Sequence, residues 1–418
     1  MKRKRLLYAV GVISGIISDY SYKCNARRKP SYFSREGGKI CFSNLIAITL
    51  NFLAKSIQTE LNAFFESVLK STERVSKQAF LEARFKLKVD AFRILFDKTA
   101  ELGAEPSGLT TFRGYRILAI DGADLQLEDT DTLRTYFGVK GGGTGLATAR
   151  TSAMVDVLNK GIILDAQIDK LSFGERVLAM RHFDRLDELQ IEEPLLVFDR
   201  GYASTDMFDR LGDTAFLFRL QKSFNAEIDL LPLGDFVKDF TIKKQVYRLR
   251  VLKFLRQNGD VDILVTNLLE QMISSDELKE LYRLRWGVET AFRTLKSTLQ
   301  IENFSGTSQL IVEQDFFAAM FLKNMVAFAK IDSDEIVSQN ENPDNLYRQQ
   351  TNENQLVGIL KDKLVLALLD NRPRARARKV EKIIQEAARH TIPIRPDRYF
   401  PRIRKHSKRF SVARKPAL

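Results

Sequence analysis

Residues 282 to 296 read Tyr-Arg-Leu-Arg-Trp-Gly-Val-Glu-Thr-Ala-Phe-Arg-Thr-Leu-Lys. On a helix turning ~100° per residue, Tyr282 and Lys296 each fall ~20° from Glu289 and Arg285 ~40°. The four side chains therefore share one face. Arg285 and Lys296 offer phosphate oxygens a bidentate fork and a point charge, while a carboxylate set between them suits a divalent metal. The spacing points to metal-assisted chemistry on a nucleic-acid backbone. The plainer alternative is an amphipathic helix with an ordinary i,i+4 ion pair between Arg285 and Glu289.

Two further carboxylates favour the first reading. The run Tyr115-Arg-Ile-Leu-Ala-Ile is stopped by Asp121-Gly, and Pro194-Leu-Leu-Val-Phe is stopped by Asp199-Arg-Gly-Tyr. Each reads as a buried strand whose last residue projects at the sheet edge. Two strands ending in Asp, followed by a helix bearing Glu, gather three carboxylates at one end of an α/β sheet. Such an oxygen-rich set suits Mg²⁺ or Mn²⁺.

Tyr282, Arg285, Glu289 and Lys296 fit the Tyr-x2-Arg-x3-Glu-x6-Lys signature without a gap. In this the chain resembles the DDE transposases of the bacterial insertion sequence 4 family. Phe33-Ser-Arg-Glu, Lys55-Ser-Ile-Gln-Thr-Glu-Leu, Ala79-Phe-Leu-Glu-Ala-Arg, Asp121-Gly, Asp199-Arg-Gly-Tyr and Thr266-Asn-Leu resemble further family landmarks, in the family's order. The likeness runs from about residue 30 to about residue 330 and leaves both ends unmatched. It implies an α/β ribonuclease H-like catalytic core in which Asp121, Asp199 and Glu289 are catalytic and bind Mg²⁺, with Mn²⁺ able to substitute. It also implies double-stranded DNA as partner, both as the element's terminal inverted repeats and as target, with a homodimer in the synaptic complex and a hairpin at the transposon end.

The 418 residues leave room for two or three domains, and 44% apolar content is enough for a sizeable core. The net charge is +13, and its excess is local. Residues 371–418 hold 16 Lys and Arg against 3 Asp and Glu, whereas residues 1–370 balance at 50 against 50. A basic tail of this kind adds phosphate affinity without reading bases, unless it is merely solvated. Cys24 and Cys41 are too few for a disulfide framework, and three scattered histidines argue against a His-based site. The opening Met-Lys-Arg-Lys-Arg and the apolar run Leu6 to Ile17 imitate a signal peptide. The run is too short to span a bilayer, so the expectation is a cytoplasmic, nucleoid-associated protein with no membrane partner.

Four regions are expected. Residues 1–110 read as an N-terminal helical domain, either a helix-turn-helix-like DNA reader or a bundle bracing the core. Its periodic apolar positions include Leu45, Phe52, Leu53 and Phe65, and its DNA-contact candidates are Arg35, Lys77, Arg84, Lys86 and Lys88. Residues 111–221 and 273–330 form the core, with strands at 115–121, 148–158, 161–169, 195–199 and 215–221 and helices at 172–188 and 203–212. Residues 222–272 alternate like an inserted β-subdomain. Residues 331–418 make a helical and basic C-terminal region. Gly141-Gly-Gly-Thr-Gly lacks the Lys-Ser/Thr of a phosphate-binding loop and reads as a mobile loop beside the site.

Several residues carry two readings. Asp124 is a possible fourth metal ligand or a solvated cap, and Asp156 and Asp165 are buried pairs or edge charges. Trp286 packs in the core or stacks on an extruded base. Arg200 and Tyr202 touch the scissile strand or position Asp199, and Arg293 is a further phosphate candidate. The reading as a whole is a transposase; its rivals are a non-catalytic DNA-binding repressor and a structure-specific nuclease on the same fold.

Overall fold

The two apolar runs that stop at Asp become neighbouring parallel strands in the middle of one mixed sheet. The computed structural model describes residues 4–34, 38–51, 55–141, 145–256, 258–269 and 273–395. The strands are β1 (Arg116–Gln126), β2 (Thr148–Asp156), β3 (Ile162–Lys170), β4 (Pro194–Phe198), β5 (Ala215–Arg219), β6 (Gly234–Ile242), β7 (Gln245–Leu255) and β8 (Val261–Thr266), in the spatial order β3-β2-β1-β4-β5-β8-β7-β6. The first three form an antiparallel meander, and β1, β4 and β5 run parallel. Leu195, Leu196, Val197 and Phe198 of β4 are fully buried, as a parallel strand covered on both faces requires.

Two expectations about strands change. β1 does not stop at Asp121 but runs five residues further, because beyond Ile120 it keeps its antiparallel partner β2 after parting from β4. Gly122 is no turn residue here. A Cβ at that position would lie 3.1 Å from the Glu175 side chain and 3.3 Å from the Thr151 carbonyl, so the glycine permits close packing within a strand. The strands of residues 222–272, expected as a subdomain of their own, instead extend the core sheet: β8 pairs antiparallel with β5, and β7 and β6 follow. Their apolar alternation finds its partner in the exposed edge of β5, which would otherwise be left unpaired.

At the opposite edge the long helix Gln309–Gln339 takes the place of a ninth strand at one position. Asn324 accepts from the Ile163 N–H at 2.7 Å and donates to the Ile163 carbonyl at 2.8 Å. A buried amide thus satisfies both backbone groups of an edge residue. The same helix buries Phe316, Met320, Phe321 and Met325. Asp332, further along it, accepts the backbone N–H groups of Arg5 and Leu6, each at 2.9 Å, and so closes the N-terminus of the helix Arg5–Ser18. Lys4 pairs with Glu381 of the helix Pro373–Ala388. The N-terminal and C-terminal helices share one hydrophobic core.

The helical stretch expected over residues 40–70 is divided into Phe42–Thr49, Ile57–Ala63 and a π-helical turn Phe64–Val68, followed by Lys77–Arg84 capped by Ser76. Arg84 is not the exposed DNA contact expected. It is fully buried, donating to Asp315 at 2.6 Å and to Ser305 at 2.6 Å, because the neighbouring Phe80 and Phe92 turn its side of the helix inward. Arg35, Phe52, Leu53, most of the Gly141 to Gly145 stretch and the tail from 396 onward lie outside the described residues. Among the described residues no helix is long and apolar enough to cross a membrane.

Candidate active site

Register alone brings the two aspartates together. Ile120 and Phe198 are the last paired residues of β1 and β4, so Asp121 and Asp199 are the next residues on adjacent parallel strands. The chain turns directly after Asp199, with the Tyr202 N–H donating to the Asp199 carbonyl at 3.1 Å.

Glu289 arrives on a helix with two irregularities. Ser275–Leu284 begins with a full capping box, Ser274 and Glu277 each serving the other's backbone. The helix is interrupted at Arg285, where Val288 donates to the Arg285 carbonyl at 3.1 Å in an i+3 bond, and it resumes as Trp286–Arg293. It ends in a π-helical turn, Thr294–Thr298, a local widening that is common at functional sites. The four signature residues therefore do not lie on one uniform helix. Gly287 permits the approach to the sheet, since a Cβ there would stand 2.8 Å from the Val157 side chain.

Arg285 is 5% exposed and bridges two of the carboxylates, donating to Asp121 at 3.2 Å and to Glu289 at 2.9 Å. The Tyr282 hydroxyl donates to Asp199 at 3.0 Å. Lys296 points to the far half of β1, donating to the Asp124 carbonyl at 2.7 Å and lying 3.2 Å from Glu302. Asp124 itself is held by Lys140 and Arg150, each at 2.6 Å. Trp286 is 48% exposed beside Arg285, whose guanidinium lies 5.5 Å from its ring; the core-packing reading of this residue gives way to a half-open face. Arg200 and Arg293 are exposed. Tyr202 is 2% exposed and packs on Phe198 at 5.9 Å. Its burial removes it from the exposed surface and leaves it bracing the Asp199 turn from inside.

The electrostatics separate the carboxylates. Burial pushes Asp121 up to about 6, against the pull of Arg285. Burial also acts on Asp199 but is outweighed by the Arg200 backbone N–H, Arg285 and the Tyr282 hydroxyl, so Asp199 is held below the usual carboxylate range. Arg219 contributes to that effect and was missed in the sequence, although it ends the apolar run of β5 just as Asp199 follows that of β4. Asp156 and Asp165 prove to be structural. Asp156 pairs with buried Arg116 at 2.7 Å, and Asp165 meets His182 at 2.7 Å, whose other nitrogen faces Ser152 at 2.9 Å.

Residues 112–325, which contain all three carboxylates, match the family model of the transposase DDE domain. This chain belongs to the DDE transposase family. It is 24% identical over 277 residues to the transposase InsG for insertion sequence element IS4 of Escherichia coli (strain K12), the match covering 62% of each chain. It is 29% identical over 147 residues to the probable transposase for insertion sequence element IS5377 of Geobacillus stearothermophilus, over 32% of this chain and 38% of that one. The chain thus matches less than two thirds of the length of these relatives. The piggyBac transposase, solved as a synaptic complex with hairpin DNA, shares the fold with a TM-score of 0.52 at 12% identity, over 93% of this chain and 87% of that one. The resemblance to the insertion sequence 4 family is borne out, as is a ribonuclease H-like transposase core.

DDE transposases generally work with divalent metal ions. The donor set here is all oxygen, which suits a hard cation. Among the described residues, however, no three carboxylates stand close enough to hold one as they are. The charge between Asp121 and Glu289 is supplied by Arg285.

Proposed function

We propose that this chain is a DNA transposase that binds the ends of its mobile element, cleaves a phosphodiester there and transfers the 3′-hydroxyl strand to target DNA. The observation that carries the reading is that Asp121 and Asp199 follow the last paired residues of adjacent parallel strands, while buried Arg285 bridges Asp121 to Glu289. Asp121, Asp199 and Glu289 would hold Mg²⁺, or Mn²⁺ in its place. Bound there, a pair of such ions would supply the activation of water or of a 3′-hydroxyl and the charge to offset the leaving oxygen.

The chain's own residues orient the reaction. The Tyr282 hydroxyl fixes the Asp199 carboxylate, Lys296 fixes the strand beyond Asp121, and Arg285 is the cation nearest the carboxylates, available to a phosphate once it leaves them. Exposed Arg200 and Arg293 add phosphate contacts beside the cut, and the open face of Trp286 offers a stacking platform for a base. The N-terminal helices would read the inverted repeats, with Lys77, Lys86 and Lys88 on their exposed side, while β6, β7 and β8 widen the DNA-gripping surface. A homodimer would hold two ends together in the cytoplasm, with a hairpin as the cleavage intermediate. The test is nicking of supercoiled DNA carrying candidate ends, with and without Mg²⁺. Metal-dependent nicking confined to the ends, followed by strand joining, is expected; end binding without nicking would make the chain a repressor, and nicking without joining a nuclease.

A further inference from the structure

The helix Pro373–Ala388 sorts its charges by side. Those turned toward the body are all engaged. Arg376 donates to the carbonyls of Asp370 and Gly11, Lys379 pairs with Asp370, Glu381 pairs with Lys4 and Glu386 with Lys363. Arg374, Arg378, Lys382 and Arg389 are exposed, and no ion pair or hydrogen bond holds their side chains among the described residues. Their spacing of four, four and seven residues places them within ~80° of one another around the axis, over a rise of about 22 Å. Gln385 completes the same stripe.

Like charges at i,i+4 oppose one another on a helix, so this row of cations is a cost that an anionic partner would relieve. The helix's apolar residues Val380, Ile383, Ile384 and Ala387 are buried against the body. A membrane-docking helix needs its apolar face for the lipid, and here that face is already taken. What remains is a straight cationic edge without apolar anchors, a match for a regular line of phosphates. Its length faces about six base steps of a duplex at 3.4 Å each.

We infer that the outward face of this helix is a track for the backbone of double-stranded DNA, independent of base sequence and separate from the carboxylate site. The inference deepens the transposase reading by giving the protein a second contact with the duplex. Each cation on the track replaces a counterion, so the four together set a definite part of the salt dependence of binding. The salt slope counts the cations and not their shape, so exchanging lysine and arginine on the track should leave it unchanged.

The test uses the full chain and two variants. One neutralises the row as Arg374→Gln, Arg378→Gln, Lys382→Gln and Arg389→Gln. The other keeps its charge as Arg374→Lys, Arg378→Lys, Lys382→Arg and Arg389→Lys. Binding to a random 30-base-pair duplex is titrated against salt, and circular dichroism monitors the fold. The neutral variant is expected to lose about 3 to 4 from the slope of log affinity against log salt, the charge-keeping variant to match the wild type, and Mg²⁺-dependent nicking of end DNA to persist in both at low salt. A neutral variant with the wild-type slope overturns the track while leaving the transposase reading standing. So does a defect that appears only on vesicles of anionic lipid. A wild type that binds no duplex at all overturns both.

Discussion

The guanidinium of Arg285 stands 3.2 Å from the carboxylate of Asp121, at the position where a cation shared with Glu289 is needed. Arg285 therefore offsets the charge of Asp121 and Glu289, and on the proposed reading a metal would compete with it for them. Replacing Arg285 by Met, which keeps much of the stem, removes that competitor. The variant should bind Mn²⁺ about tenfold more tightly or better, a difference of about 1.4 kcal/mol, while the loss of the proposed phosphate contact should make it cleave end DNA far more slowly. Calorimetric titration of Mn²⁺ into both proteins decides it; equal or weaker binding by Arg285→Met would show that the arginine helps to assemble the metal site and does not compete with the ion.

Alanine at Asp121, Asp199 or Glu289 should abolish metal-dependent cleavage and leave end binding largely intact. Each is partly exposed, so its loss leaves no large cavity. The thermal response separates the roles further. Mn²⁺ should raise the melting temperature of the wild type and of Lys296→Ala, but not of the three carboxylate variants, because Lys296 engages the Asp124 carbonyl and Glu302 and none of the three acids. Near wild-type cleavage by any one alanine variant would remove that residue from the site.

The nearness of Asp121 to Asp199 is legible in the sequence because each closes an apolar run, and those runs become the adjacent parallel strands β1 and β4; that β1 continues past Asp121 beside β2 is not. The sequence could not show where Arg285 and Lys296 point. Those side chains depend on an interruption at Arg285 and a π-helical turn at Lys296, which leave no periodic trace. Arg84 was misread for a related reason. The polar partners that let it be buried, Ser305 and Asp315, lie some 220 and 230 residues away along the chain, and no local pattern signals partners so remote. The strands of residues 222–272 were visible as strands, but their attachment to β5 was not, since an edge announces no partner.

Gly287 tests how closely the Glu289 helix must approach the sheet. An alanine Cβ would stand 2.8 Å from two atoms of the Val157 side chain, whose neighbours in β2 are buried and cannot yield freely. Gly287→Ala should cost ~1–3 kcal/mol through overpacking and shift Glu289 relative to Asp121, lowering cleavage more than end binding. Chemical denaturation together with a nicking assay checks both halves. A variant of unchanged stability and full activity would mean that Val157 swings aside without cost and that the close approach is incidental.

Asp332 predicts a pH dependence away from the catalytic site. Burial pushes its carboxyl up to about 6, although the Leu6 and Arg5 N–H groups and the Lys4 and Arg5 charges pull it down. The ordinary value is 3.8, so between about pH 4 and pH 6 the folded chain binds more protons here than the unfolded chain. This contribution to stability is fully present below pH 4 and is lost as pH rises through 6. Asp332→Asn removes the titration, at the cost of one backbone hydrogen bond at the start of the helix Arg5–Ser18, about 1 kcal/mol. The variant should therefore be less stable than the wild type at pH 4, and the deficit should shrink or reverse as pH rises through 6 and stay constant above about pH 7. Melting temperatures of the two proteins across that range, without metal, give the difference directly. A gap that does not change from pH 4 to pH 7 would mean that Asp332 stays ionised throughout, held down by the helix end it closes.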